Sequence, residues 1–267
     1  MRYQSLINTL WEQYASEIPA ARKIHDLFEA EGEHVVNDHI ALRTFDDPRV
    51  DIDMLSAPFI KDGYVEKGHY DFPNKKLFAK HFERKNDPAA PKIFISELMI
   101  HHFSGYLQDQ VNDMISAIPA HLLNHPEKLL SAGVPWGVPS YACYEKLLAE
   151  SQYAAWLYAF GYRANHFTVN VNELHQFNTI EKVNGFLKKN GFVLNSENGE
   201  IKGTVADHLQ QSSTMAEPKA VHFKEGIYEI PSCYYEFALR YPDEKGELYQ
   251  GFVSASADKI FESTHRH

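Results

Sequence analysis

Asn37-Asp38-His39-Ile40-Ala41-Leu42-Arg43-Thr44-Phe45 is the stretch on which the reading of this chain turns. It is a strand-like run with a histidine near its start, and Asn165-His166-Phe167-Thr168-Val169-Asn170-Val171 repeats that device much later. The elements downstream of each run repeat too. After Phe45 come an amphipathic helix over 51–62, stopped by Gly63, and strand candidates at 64–70, 76–84 and 92–100. After Asn172 come a helix over 179–190, closed by Gly191, and strand candidates at 192–195, 201–205, 219–223 and 232–240. The shared order is β-α-β-β-β, and a repeat constrains architecture more tightly than local propensity does. The expected fold is therefore α+β. Two βαβββ modules, 34–104 and 165–241, form a curved sheet or half-open barrel within one structural domain. Residues 1–33 read as helices, 105–164 as a helical insertion, and 242–267 as a polar tail carrying His265 and His267.

Composition sets the surroundings. At 267 residues and 44% apolar, the chain can bury a large core. A formal charge of −10, with no basic stripe, argues against nucleic acid as a partner. The opening residues lack a signal-peptide pattern and no long apolar run occurs, so a membrane is not expected either. Cys143 and Cys233 have no CxxC context and read as reduced thiols of a cytoplasmic protein.

Side chains alternate along a strand. His39, Ala41 and Arg43 therefore share one face, as do His166, Thr168 and Asn170, and Tyr234, Glu236, Ala238 and Arg240. Glu236 stands among Tyr234, Tyr235, Phe237 and Leu239, and a buried ionised glutamate requires a partner. That partner is either Arg240 or Arg43, or a metal. With His39, His166 and Glu236 turned inward, the sheet holds two imidazoles and one carboxylate, the donor set of an open-sided non-haem Fe(II) site. Zn(II) and Ni(II) are alternative occupants in purified protein, since affinity follows metal availability and the Irving–Williams order. Arg43 lies roughly 13 Å along the strand from His39, and its fork suits a substrate carboxylate. Glu97 falls in the first module where Glu236 falls in the second. It reads as a fourth ligand or, preferably, as a supporting acceptor behind the ligands, and Arg240 reads as a further supporting residue. Of His101 and His102, neighbours on opposite faces, at most one can join the site. Residues 210–214 are polar enough to line a pocket, although Ser/Gln clusters more often form turns. The same donors would also serve a redox-neutral lyase or isomerase, with Glu97 or Glu236 as base, or a ligand-binding protein without metal.

At Asp38-His39-Ile40-Ala41-Leu42-Arg43-Thr44, Gln211-Ser212-Ser213-Thr214-Met215-Ala216 and Tyr235-Glu236-Phe237-Ala238-Leu239-Arg240 the chain resembles the 2-oxoadipate dioxygenase/decarboxylases, or 2-hydroxyglutarate synthases, of the vicinal oxygen chelate superfamily. The resemblance spans roughly 34–240. It implies Fe(II) ligands at His39, His166 and Glu236, a substrate-binding arginine at Arg43 and a second substrate contact at Ser213. It further implies O₂ and a 2-oxo acid as partners, 2-oxoadipate giving 2-hydroxyglutarate and CO₂, and a place in lysine catabolism. Better-known members are longer, with a C-terminal region that helps close the pocket, so the identity of the 2-oxo acid transfers less firmly than metal and arginine.

Overall fold

The computed structural model describes residues 3–253; His265 and His267 lie outside the described residues. Two helices open the chain, α1 (Tyr3–Glu17) and α2 (Pro19–Ala30), separated at Ile18 because Pro19 suits the first position of a new helix. The first module is β1 (Asn37–Phe45), α3 (Ile52–Lys61), β2 (Tyr64–Phe72), β3 (Leu77–Arg84) and β4 (Lys92–Leu98). The helical insertion contains α4 (Gly105–Ser116), α5 (Ala120–Leu123), α6 (Pro126–Leu129), α7 (Tyr141–Glu150) and α8 (Gln152–Phe160). The second module comes next, as β5 (Ala164–Asn170), α9 (Ile180–Lys189), β6 (Lys202–Thr204), β7 (Leu209–Ser213) and, after a hairpin of β8 (Pro218–Phe223) and β9 (Gly226–Pro231), β10 (Glu236–Arg240).

One eight-stranded sheet joins the modules in the order β2-β3-β4-β1-β5-β10-β7-β6. β1 runs parallel to β4 and β5 parallel to β10, while β1 and β5 meet antiparallel at the centre. Each module thus contributes the same arrangement, and an approximate twofold relates them. The central register fixes the equivalences. His39 pairs with Thr168 and Ala41 with His166, so exchanging the modules exchanges the two histidines. Glu236 stands beside Thr168, and the corresponding neighbour of Ala41 is Phe94.

Alternation separates the core from the site. Phe167 and Phe237 each come directly after a polar residue and point away from it, into the layer formed by α1 and α2. Trp11 and Tyr14 meet the Phe167 ring at 5.2 and 5.1 Å, and Phe28 meets Phe237 at 6.2 Å. Phe28, Phe167 and Phe237 are fully buried, each such ring contributing about 1.5–3 kcal/mol.

Four strand expectations are corrected. Residues 209–213 form a strand, not a turn: Gln211 donates to Glu236, and Ser212 Oγ donates to Asn184 of α9 at 2.7 Å, so polar residues sit satisfied on both faces. Residues 219–223 belong to the β8–β9 hairpin outside the main sheet, and 192–195 contributes only the single bridge Leu194–Thr214. The last strand starts at Glu236, not at 232. The carbonyls of Ser232 and Tyr234 accept instead from Trp156 Nε1 and the Tyr14 hydroxyl.

Candidate metal centre

His39, His166 and Glu236 converge from β1, β5 and β10, and all three are buried. One ligand atom from each lies within 4.8 Å of the others. His39 Nε2 is 3.5 Å from Glu236 Oε1, and His166 Nε2 is 3.2 Å from Glu236 Oε2.

The outer nitrogens settle what those inner atoms are. His39 Nδ1 is 2.8 Å from Asp38 Oδ1, and His166 Nδ1 is 3.0 Å from Asn165 Oδ1. Both oxygens are acceptors, so both Nδ1 atoms carry the proton and both Nε2 atoms present lone pairs. Two lone pairs and a carboxylate therefore face one another. The three groups form a possible metal site, and two imidazoles with one carboxylate fit Fe(II) as well as Zn(II). Burial, reinforced at His166 by His39 and Arg43, holds both imidazoles below their usual range and hence neutral, as metal ligation requires. Burial pushes the Glu236 carboxyl up to about 8, although the Gln211 amide donates to it. Thr168 Oγ1 reaches His39 Nε2 at 3.1 Å.

Support extends outward through Asp38. The β1–β5 register shifts between Asn37 and His39, a bulge that re-aims Asp38 toward its neighbour's ring. Arg240 then grips Asp38 with two bonds, Nε to Oδ2 at 2.6 Å and Nη2 to Oδ1 at 2.8 Å. Burial disfavours the Asp38 carboxylate, but the Arg240 charge and hydrogen bonds outweigh it and hold the group well below its usual range. The other arm of Arg240, Nη1, donates to the carbonyls of Tyr249 and Gly251 at 3.0 and 2.8 Å. This holds in place the segment that carries Phe252. The Phe252 ring meets His39 edge-on at 4.8 Å and lies 4.9 Å from Phe94, the twofold counterpart of Glu236. One side of the centre is thus aromatic where symmetry would place a second carboxylate.

A small cavity of about 30 Å³ opens on the three ligands. Arg43 lines it, buried, with its guanidinium 4.9 Å from the Tyr153 ring and 5.0 Å from the Trp156 ring, both on α8. Tyr153 is itself fixed: its hydroxyl donates to the Ser96 carbonyl at 2.6 Å and accepts from Thr44 N at 3.0 Å. A second cavity, about 260 Å³, reaches Arg43 and Tyr153 and has Lys75, Lys76 and Glu150 in its walls. The Tyr234 ring stacks on His166 at 4.8 Å, and burial raises its hydroxyl well above the usual phenol range, so it stays protonated.

Glu97 is not behind the ligands. Its neighbours Phe94 and Ser96 line the cavity, whereas Glu97 points to the opposite face and accepts from Ile52 N, at the start of α3, at 3.1 Å. The register explains this: Phe94 is the counterpart of Glu236, and Glu97 lies an odd number of positions beyond it. Ser213 pairs with Glu236 across the β7–β10 ladder and is buried on its face, but the cavity wall there is Gln211. His101 and His102 lie in a short 3₁₀ turn and are exposed. Sequence reasoning passes over Asp38, Asn165, Tyr153, Trp156 and Phe252, whereas Gln211 falls in the 210–214 run read there as polar enough to line a pocket. A signal exists for the first two: each ligand histidine comes directly after a residue with a side-chain carbonyl or carboxylate oxygen.

Paired βαβββ modules around a two-histidine, one-carboxylate cluster define a protein of the vicinal oxygen chelate type. The chain belongs to the 2-oxoadipate dioxygenase/decarboxylase family, whose model matches residues 2–247. A chloroplastic/amyloplastic 2-oxoadipate dioxygenase/decarboxylase of Oryza sativa subsp. japonica is 35% identical over 98% of this chain and 78% of its own length. The crystal structure of a hydroxyglutarate synthase from Oryza sativa in complex with 2-oxoadipate superposes with a TM-score of 0.91 at 34% identity, covering 98% of this chain and 91% of that one. A Shewanella frigidimarina protein described as a candidate hydrolase is 48% identical with a TM-score of 0.89, covering 94% of this chain and 98% of that one.

Proposed function

We propose that this chain is an Fe(II)-dependent dioxygenase that decarboxylates a 2-oxo dicarboxylic acid, with 2-oxoadipate as the first candidate. Atoms balance for 2-oxoadipate plus O₂ going to 2-hydroxyglutarate plus CO₂. The observation that carries the reading is the convergence of three acceptors, with both imidazoles oriented by their neighbours. Kinship with a protein crystallised with 2-oxoadipate supplies the substrate class.

Iron held by His39, His166 and Glu236 would supply the redox chemistry that O₂ requires and an anchor for the 2-oxo head. The chain's own residues do the rest. Asp38 and Asn165 keep the imidazoles in the ligating tautomer, and Gln211 orients the carboxylate. Arg43, flattened between two aromatic rings, presents a fixed cationic fork to a substrate carboxylate. Phe94 and Phe252 exclude water from the opposite side. Ser213 contributes by pairing with Glu236 across the β7–β10 ladder, which braces that strand. We place the activity in the cytoplasm, within lysine breakdown, a location that cell fractionation checks.

The test is anaerobic Fe(II) reconstitution, then oxygen uptake across a panel of 2-oxo acids. Equal amounts of O₂ consumed and CO₂ released are expected, with 2-hydroxyglutarate formed from 2-oxoadipate. His39→Ala, His166→Ala and Glu236→Ala should lose metal and turnover together. Product formation without oxygen uptake would favour a redox-neutral lyase or isomerase instead.

A further inference from the structure

Tyr234 sits two residues before Glu236, on the same side of the chain, and lines the cavity with Arg43. It is completely buried. Its ring is held against His166, with 26° between the ring planes, and its backbone carbonyl accepts from the Tyr14 hydroxyl. Its own hydroxyl, however, has no hydrogen-bond partner among the described residues. A buried hydroxyl left without a partner costs about 1–3 kcal/mol, and such a group in a well-packed interior calls for an explanation. Phenylalanine would fill the same space and stack on His166 equally well. The hydroxyl is thus surplus to the fold, and it belongs to a residue that lines the cavity onto which the ligands open.

We propose that the Tyr234 hydroxyl is a substrate-positioning donor, forming with Arg43 a two-residue clamp for one carboxylate of the acid bound at the centre. The guanidinium supplies the charge. The hydroxyl supplies a directional bond from the His166 side, so that the carboxylate is held in a defined rotation and not merely attracted. This rests on the function proposed above, and the two can fail separately.

The experiment compares Tyr234→Phe with the unaltered protein, both loaded with Fe(II) and kept without oxygen. Titration calorimetry measures the Kd for 2-oxoadipate and for glutarate, which has two carboxylates but no keto group. Metal content and urea midpoint are recorded in parallel. In Tyr234→Phe, metal content should match the unaltered protein and the urea midpoint should stay level or rise, because only an unsatisfied group is removed. The Kd for 2-oxoadipate should rise about tenfold or more, the size expected for a hydrogen bond to a charged group. In combination with Arg43→Lys, the losses should be less than additive, as for two residues gripping one group. A Kd within about twofold of the unaltered value, or a fall in the urea midpoint, would overturn the assignment. Should the unaltered protein bind glutarate as tightly as 2-oxoadipate, with Tyr234→Phe weakening both, the clamp stands and the 2-oxo acid reading falls.

Discussion

Arg240 is the strongest test of how the centre is held, because one guanidinium serves two purposes. It neutralises Asp38, whose side chain is 1% exposed, and it ties down the carbonyls of Tyr249 and Gly251. Arg240→Leu leaves a buried carboxylate without its counter-charge, and breaking a buried pair from one side costs about 3–5 kcal/mol. The two lost carbonyl contacts add about 0.5–1.5 kcal/mol each. His39 loses the fixed acceptor behind it, and loss of such a partner weakens metal affinity about 10- to 100-fold. The double variant Asp38→Asn/Arg240→Leu removes the stranded charge while leaving an acceptor for His39 Nδ1. It should regain most of the roughly 3–5 kcal/mol and much of the metal affinity, retaining only the carbonyl deficit. Urea unfolding at fixed pH gives the stabilities, and competition with a chelator gives the affinities. If the double variant is no more stable than Arg240→Leu, the two residues are not coupled and the chain of support from Arg240 through Asp38 to His39 is wrong.

Other expectations rest on the same geometry. Arg43→Lys should keep its metal but need about ten- to a hundredfold more substrate for half-maximal turnover, since an ammonium cannot reproduce the stacked, two-pronged contact; an unchanged requirement would remove Arg43 from substrate binding. Gln211→Leu strips a donor from Glu236 and should lower metal affinity about tenfold in the chelator assay, with the fold intact by circular dichroism. Glu97 provides a pH signature away from the centre. Burial raises its carboxyl to about 7 in the folded protein, so the folded state holds that proton more tightly than the unfolded chain does. Stability from this group is present below about pH 4.5 and is lost as pH rises through about 7. Glu97→Gln should therefore match the unaltered protein at about pH 4 and exceed it at about pH 8. After allowance for partial exposure the gain is about 1 kcal/mol, measured by urea midpoint, and an equal difference at both pH values would contradict the assignment.

The repeat, the faces of β1, β5 and β10, and the convergence of His39, His166 and Glu236 are legible because strand alternation is a property of local sequence. Register is not. Glu97 resembles a counterpart of Glu236 because both lie in the closing strand of a module, yet an odd offset turns it to the other face. The glutamines and serines of β7 lack apolar alternation and so suggest a turn; their partners, Glu236 and Asn184, come from elements distant in the chain. Tyr153 and Trp156 have the look of ordinary core residues in an apolar helix, and only the tertiary placement of α8 beside β1 brings them to Arg43. Phe252 lies in a stretch with no pattern at all; Arg240 positions it.

A sheet that does not close on itself has two unprotected margins. No strand among the described residues pairs with the outer side of β2 or of β6. Free margins invite another chain to add a strand and start aggregation. The two ends discourage this differently. β2 carries Glu66, Lys67, His69 and Asp71 through its middle, so an incoming backbone meets charge. β6 is only three residues long, too short to template much pairing, and its Lys202 ammonium is occupied by the carbonyls of Asn195, Glu197 and Gly199. Replacing Glu66 and Lys67 with valine would leave the catalytic face untouched and turn a repelling margin into an adhesive one.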